Sequence, residues 1–95
     1  MLDKKLNNIL NFLIDEIQPQ KVILFGSRGK GISKPNSNYD LAIDSQIVTH
    51  RVKRILAEKI DEMAGLHKVD LVFLNEVDEG FNNIIISTGQ IIYEQ

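Results

Sequence analysis

The stretch Val22–Asp44, VILFGSRGKGISKPNSNYDLAID, constrains the fold more than any other part of the chain. It opens with a short apolar run, which is typical of a strand buried on both faces, and Gly26-Ser27 ends that run. A polar loop with two further glycines follows. Tyr39–Asp44 then alternates apolar and polar residues, which predicts a strand with one packed face and one polar face. The stretch therefore predicts strand, turn, loop and strand.

The rest of the chain supplies elements that would pack around these two strands. Residues 2–17 and Val48–Met63 repeat apolar positions at helical spacing, so each predicts an amphipathic helix. Lys68–Leu74 predicts a third strand, apolar except for Asp70, and Gln90–Tyr93 a short last one. With a third helix between those strands the order is αββαβαβ. This order predicts an α/β (α+β) fold, a small mixed β-sheet with helices mainly on one face.

Punctuating residues bound the predicted helices, and two N-caps remain open at this stage. Pro19 ends the first helix, because the residue before a proline avoids the helical region. Ser45 or Thr49 caps the second helix, and Asn75 or Asp78 caps the third.

The third helix also holds three consecutive isoleucines, Ile84, Ile85 and Ile86. Successive helical residues lie about 100° apart, so the three spread over more than one side of the helix. Either the helix is wedged deep in the core or it offers a surface to a partner.

Length and composition restrict the class of protein. The 95 residues predict one domain, residues 1–95. No cysteine is present, which suits a reducing cytoplasm, and a net charge of −2 does not announce a nucleic-acid binder. No apolar run approaches the roughly 18 residues that a membrane span needs, and polar residues interrupt the N-terminal apolar positions, unlike a signal peptide. We expect a cytoplasmic domain that binds neither membrane nor nucleic acid.

Polar residues in and after the central stretch predict a phosphate and metal site. Gly26-Ser27 follows a strand directly, where a backbone without a side chain and a hydroxyl can approach phosphate oxygens. Asn38 and Asp40, two residues apart on a strand, would share a face about 6.6–6.8 Å apart. Their oxygens could converge on Mg²⁺, which prefers carboxylates, phosphate oxygens and water. Asp70 could add a carboxylate from a neighbouring strand, or could simply be a solvated strand end.

These residues resemble a known signature. Gly26-Ser27, ten residues, then Asn38-Tyr39-Asp40 is similar to the nucleotidyltransferase pattern G-S-x10-D-x-D. The text FGSRGKG…SNYDLAI resembles FGSRARG…SDIDLAI of the minimal nucleotidyltransferases, small domains often encoded beside a HEPN partner protein. Asp70 in VDLVFL falls where that family has its third carboxylate, and the closing GQIIYE resembles the family's last strand, so the resemblance covers nearly the whole chain.

The resemblance implies a polymerase-β-type fold and a reaction. The family transfers a nucleoside monophosphate from ATP or another nucleoside triphosphate, with Mg²⁺ in a two-ion site. By this resemblance Gly26, Ser27 and Arg28 would bind the nucleotide. Asp40 and Asp70 would be catalytic.

The same resemblance assigns metal ligands and a partner. The metal ligands would be Asn38, Asp40 and Asp70. The acceptor would be a hydroxyl of a HEPN-type toxin that this chain neutralises as an antitoxin, and homodimerisation stays open.

The chain departs from the signature at Asn38, where the family has its first aspartate. An amide oxygen is neutral and a weaker ligand than carboxylate for a hard cation. Two functions are therefore weighed. The first is a Mg²⁺-dependent nucleotidyltransferase, weakened at the metal site. The second is a catalytically decayed antitoxin that neutralises its partner by binding alone. A third alternative, a nucleic-acid module, is disfavoured because charges of both signs lie near its basic residues. Those residues would be Lys21, Arg28, Lys30 and Lys34, or the cluster of Arg51, Lys53 and Arg54.

Overall fold

The computed structural model describes residues 4–26, 38–65 and 67–95. Within these ranges the element order is αββαβαβ, as the sequence predicts, with one 3-10 turn added. No helix in these ranges is long and apolar enough to cross a membrane. The elements are α1 (Lys4–Ile17), β1 (Lys21–Phe25), β2 (Tyr39–Asp44), α2 (His50–Ala64), β3 (Val69–Phe73), the 3-10 turn (Leu74–Glu76), α3 (Glu79–Thr88) and β4 (Gln90–Glu94).

The strands form one mixed sheet in the order β3-β2-β1-β4. β1 is antiparallel to both β2 and β4, whereas β2 and β3 are parallel. A parallel pair needs a long crossover connection, and α2 supplies it. The predicted small mixed sheet is therefore confirmed. The end of β1 and the beginnings of β2 and β3 meet at one end of the sheet.

Two helices cover one face of the sheet. Tyr39, Leu41 and Ile43 point towards this face, as the alternation in β2 predicts. They pack on the apolar stripes of α1 and α2, which explains why these two helices carry one apolar side each. The principal fully buried side chains of the two helices are Leu6, Ile9, Leu13, Leu56 and Ile60.

Among the described α-helices, the opposite face carries only α3, with Leu74 of the 3-10 turn beside it. Its smaller core consists of Ile23, Ala42, Leu74 and Ile85. The prediction that helices lie mainly on one face is thus confirmed, with two helices against one. The isoleucine triplet divides, because Ile85 is fully buried whereas its two neighbours, Ile84 and Ile86, are 58% and 55% exposed. Deep burial of the whole triplet is wrong.

Side-chain and glycine caps end the helices where the sequence places them. Thr49 caps α2 by accepting a hydrogen bond from the N–H of Val52 at 3.3 Å. Asp78 caps α3 by accepting one from the N–H of Phe81 at 2.8 Å. These contacts decide both open alternatives in favour of the residue nearer the helix, since a cap must reach the first free N–H groups. Gly89 ends α3.

One lysine ties the two helices of the larger core together. The ammonium of Lys5, on α1, donates to the backbone carbonyl of Ala64 at the C-terminus of α2, at 2.9 Å. The last carbonyls of a helix lack partners within the helix and carry partial negative charge. The lysine therefore satisfies a terminal carbonyl of α2 and links the two helices.

Candidate active site

The two candidate carboxylates lie side by side. Asp40 and Asp70 are register partners in the parallel pair of β2 and β3. Adjacent strands are about 4.8 Å apart, and partners in register project from the same face. Ala42 and Val72, two residues further along each strand, pack into the smaller core. Both aspartates therefore project from the α3 side of the sheet, at the end where β2 and β3 begin.

The environment of Asp40 disfavours its charged form. Burial is the largest cause that raises the pKa of Asp40, followed by the charge of Asp70 and a hydrogen bond with its side chain. Lys68 opposes these effects, and its Nζ lies 3.8 Å from Oδ1 of Asp70. Two carboxylates so close repel each other unless a proton or a cation lies between them. The pair is thus suited to binding a cation.

Gly26 brings the backbone against Asp40. It follows the last residue of β1 and has φ +72°, a left-handed conformation that favours glycine. A Cβ at this position would overlap Oδ2 of Asp40 and lie 3.2 Å from its Cγ. Any larger residue would therefore have to displace the carboxylate. The glycine gives the end of β1 close access to the site.

The structure describes only some of the other residues that the sequence predicts for the site. Ser27 and Arg28 lie outside the described residues. Asn38 is exposed and lies one residue before β2. The sequence pattern predicts it on the strand, on the same face as Asp40. Its role as a metal ligand stays a prediction, as do the catalytic roles of Asp40 and Asp70.

The donor set can be tested for its fit to Mg²⁺. Among the described residues, no group of three or more acidic, histidine or cysteine side chains could hold a metal ion. Asp40 and Asp70 supply hard oxygen donors from one face, but only two residues do so. Mg²⁺ takes six oxygens and commonly uses one or two carboxylates together with substrate phosphates and water. The pair fits Mg²⁺ when a polyphosphate supplies further ligands.

A groove beside Asp70 is a feature that the sequence did not reveal. It has a volume of about 500 Å³ and runs along all five residues of β3, Val69–Phe73. Lys53 and Ala57 from α2 line it on one side, and Val77 and Phe81 on the other. The sequence could not predict this groove, because its lining residues come from α2, β3 and the start of α3, which are distant along the chain.

Three contacts hold the walls of this groove in place. The ring of Phe81 packs edge-on against Phe25, with centroids 6.2 Å apart. Lys53 forms an ion pair with Glu76 and lies 5.0 Å from the centroid of the Phe73 ring. Lys53 thus has partners within the fold and does not form a basic surface together with Arg51 and Arg54.

Comparison with known proteins identifies the family. The chain matches the family model described as "Polymerase beta, Nucleotidyltransferase" over residues 7–95. The chain belongs to the polymerase-β nucleotidyltransferase family. This match confirms the resemblance seen in the sequence. The carboxylates of Asp40 and Asp70 thus lie in a nucleotidyltransferase-family fold. No match was found among curated protein sequences.

Solved structures of this nucleotidyltransferase fold include toxin–antitoxin complexes. A toxin–antitoxin crystal structure with AMP-PNP is 26% identical with a TM-score of 0.82, covering 98% of this chain and 75% of that chain. The toxin–antitoxin MntA-HepT is 25% identical with a TM-score of 0.74, covering 96% and 71%. A tri-AMPylated Shewanella oneidensis HEPN toxin in complex with MNT antitoxin is 24% identical with a TM-score of 0.75, covering 96% and 71%, and shows likeness of fold.

Proposed function

We propose that this domain is a Mg²⁺-dependent nucleotidyltransferase that transfers AMP from ATP to a hydroxyl of a HEPN-type protein, and so acts as its antitoxin. The observation that carries the proposal is the register pairing of Asp40 with Asp70 beside Gly26. Family membership supports the reaction class. The similar toxin–antitoxin structures, one with AMP-PNP, support the partner and the nucleotide. The proposed place of action is the cytoplasm.

The proposed chemistry follows from this arrangement. The acceptor hydroxyl oxygen attacks the α-phosphorus of ATP, and a new O–P bond forms. The bond from the α-phosphorus to the oxygen that bridges it to the β-phosphate breaks, and pyrophosphate leaves with the bonding electrons. The hydroxyl proton passes to the carboxylate of Asp70. Mg²⁺, when bound, neutralises charge on the attacking and leaving oxygens.

Each residue has a proposed part in this reaction. Asp40 and Asp70 hold Mg²⁺, with Asn38 as a weaker ligand. Gly26 and Ser27 hold the triphosphate, and Arg28 adds positive charge there. Gly26 suits this part because its backbone lies against the carboxylate of Asp40 without a side chain in between. Burial and the charge of Asp70 raise the pKa of Asp40, which means that the charged carboxylate is destabilised in the free domain. A bound cation would stabilise that charged form.

The proposal is tested with radiolabelled ATP, Mg²⁺ and a purified HEPN-type partner. We expect label on the partner with the native domain and none with Asp40→Asn. Label transfer that survives both Asp40→Asn and Asp70→Asn would sink the assignment of these residues. Asn38→Asp should raise the rate, because a third carboxylate strengthens metal binding. An unchanged rate and unchanged Mg²⁺ dependence would show that Asn38 is not the weak point.

A second candidate is an antitoxin that acts by binding alone. Two observations favour it: the neutral Asn38 and the exposure of Ile84 and Ile86 on α3. Binding alone predicts that Asp40→Asn still neutralises the toxin in cells, whereas Ile84→Asp with Ile86→Asp does not. AMP transfer predicts instead that Asp40→Asn no longer neutralises the toxin. Growth rescue with these two variants separates the candidates.

A further inference from the structure

β3 forms one edge of the sheet, and its hydrogen-bonding direction can be read from one contact. The backbone N–H of Tyr39 donates to the carbonyl of Lys68 at 2.9 Å. In a parallel pair, alternate residues of a strand turn both backbone groups to the same neighbour. The groups of Asp70 and Val72 therefore point to β2.

The alternate residues of β3 point the other way. The N–H and carbonyl groups of Val69 and Leu71 and the N–H of Phe73 face the open edge, and no backbone bond joins them to another described residue. The carbonyl of Phe73 belongs instead to the 3-10 turn, because Phe73 is its N-cap. Such an edge is a ready template for a further strand.

The groove beside Asp70 follows this edge over its whole length. Five strand residues span roughly 13–17 Å, enough for an extended peptide of similar length. Phe81 and Val77 form an apolar wall on the face to which Asp70 belongs. The edge thus offers backbone pairing, and the groove offers contacts for side chains of that face. An extended polypeptide matches both.

The opposite edge of the sheet provides an internal comparison. β4 is also an edge strand, but β1 and β2 separate it from β3 and Asp70. Its pairing with β1 is irregular between Val22 and Ile23. A strand added there would lie on the far side of the sheet from the carboxylate pair. Of the two edges of the described sheet, the β3 edge is the one that runs up to an aspartate of the candidate site.

We propose that the acceptor enters as an extended segment that pairs with the outer edge of β3, which places its hydroxyl beside Asp70. This proposal rests on the proposed function and names its acceptor class. Residues in register across paired strands share a face. The hydroxyl-bearing residue therefore lies opposite Asp70, and a residue two positions away lies near Val72 and the Phe81 wall. The preferred acceptor has an apolar residue two positions from its tyrosine, threonine or serine.

The first test measures binding without chemistry. The probe is a blocked heptapeptide, Thr-Val-Thr-Tyr-Thr-Val-Thr, and the control peptide has prolines in place of its threonines. We expect the probe alone to slow amide hydrogen exchange at Val69, Leu71 and Phe73, with little change along β4. Absence of slowing, equal slowing along both edges, or the same slowing caused by AMP-PNP without peptide would overturn the proposal. No ATP or Mg²⁺ is needed, so the result is independent of whether the domain transfers AMP.

The second test removes one outward donor. Leu71→Pro deletes the N–H that faces the open edge and leaves the ladder to β2 intact, since proline is tolerated at such edge positions. Leu71→Ala is the matched control, because it removes the same side chain and keeps the N–H. We expect Leu71→Pro to raise the KM for peptide acceptor roughly threefold to tenfold over the control, with AMP-PNP affinity unchanged. Equal KM values for the two variants contradict the proposal. If Leu71→Pro does not fold, the exchange measurement decides.

Discussion

The two faces of the sheet differ in what their side chains do. The face under α1 and α2 is closed, and residues such as Leu13, Leu41 and Ile60 are almost wholly buried there. The α3 face has a smaller core and leaves Asp40 and Asp70 half-buried at the end of their strands. The first face stabilises the fold, whereas the second buries less apolar surface and carries the charged groups of the candidate site. This difference indicates that changes on the two faces should damage different properties.

The largest expected effect on stability lies in the closed face. Leu13→Ala leaves a cavity among fully buried neighbours and should lower the free energy of unfolding by about 3 kcal/mol. Ile86→Ala, on the open side of α3, should cost less than about 1 kcal/mol because its side chain is 55% exposed. Chemical denaturation of both variants measures the contrast. Equal losses would break the distinction between the faces.

Two glycines sharpen the comparison, because each excludes a side chain for a different reason. At Gly89 a Cβ would lie 2.5 Å from Cγ2 of Ile23 and 2.7 Å from the carbonyl oxygen of Ile85. At Gly26 it would meet the Asp40 carboxylate instead. Gly89→Ala should therefore destabilise the fold by about 2 kcal/mol through overpacking.

Gly26→Ala should cost about 1 kcal/mol for its left-handed backbone and abolish Mg²⁺-dependent nucleotide binding by displacing Asp40. Thermal unfolding and calorimetric titration with AMP-PNP separate these outcomes. Nucleotide binding by Gly26→Ala at the native affinity would show that the end of β1 does not belong to the site.

The contact between Lys5 and Ala64 gives a smaller effect on the closed face. Lys5→Met keeps most of the apolar stem and removes the ammonium that caps α2. We expect a loss of about 0.5–1 kcal/mol in the free energy of unfolding. Lys4→Met, one residue earlier on an exposed position, is the control and should change it little. A loss shared equally by the two variants would assign the effect to net charge.

The smallest effect concerns Asp40 and runs towards greater stability. Its pKa in the fold is raised above the ordinary 3.8, so the folded state binds the proton more tightly than the unfolded chain does. The native domain therefore loses stability through this group as the pH rises past 3.8 towards neutrality. Asp40→Asn should be more stable at pH 7 by under about 1 kcal/mol, since solvent screens a half-exposed site.

Thermal melts of both proteins at pH 7 and pH 3.5 check this sign. The advantage of Asp40→Asn should shrink at the lower pH, because pH 3.5 lies below the ordinary pKa of 3.8 and the carboxyl is then mostly protonated in both states. A native domain that is more stable than Asp40→Asn at pH 7 would contradict the raised pKa.

The sequence predicted the elements and the facing of β2, because both follow from local rules. Alternation placed Tyr39 and Leu41 on the packed face, and cap chemistry narrowed the start of α3 to Asn75 or Asp78. The sequence could not establish that β2 and β3 are neighbours in register, since that pairing depends on the crossover through α2. The partnership of Asp40 and Asp70 thus needed the sheet.

The divided isoleucine triplet and the groove were also beyond local rules. Periodicity in α3 was ambiguous because three apolar residues in a row favour no single face, and only packing on Ile23 and Ala42 selected Ile85. Lys53 looked like part of a basic surface until the fold brought Glu76 and Phe73 against it. These contacts join residues more than fifteen positions apart.

The central claim is that Asp40 and Asp70 form one site for Mg²⁺ and a nucleoside triphosphate. Calorimetric titration with AMP-PNP, with and without Mg²⁺, tests it most directly on the native domain, Asp40→Asn, Asp70→Asn and Asn38→Asp. The account predicts Mg²⁺-dependent binding by the native domain, its loss in both asparagine variants and tighter binding by Asn38→Asp. Binding that is indifferent to Mg²⁺, or that both asparagine variants retain at native affinity, would contradict the account.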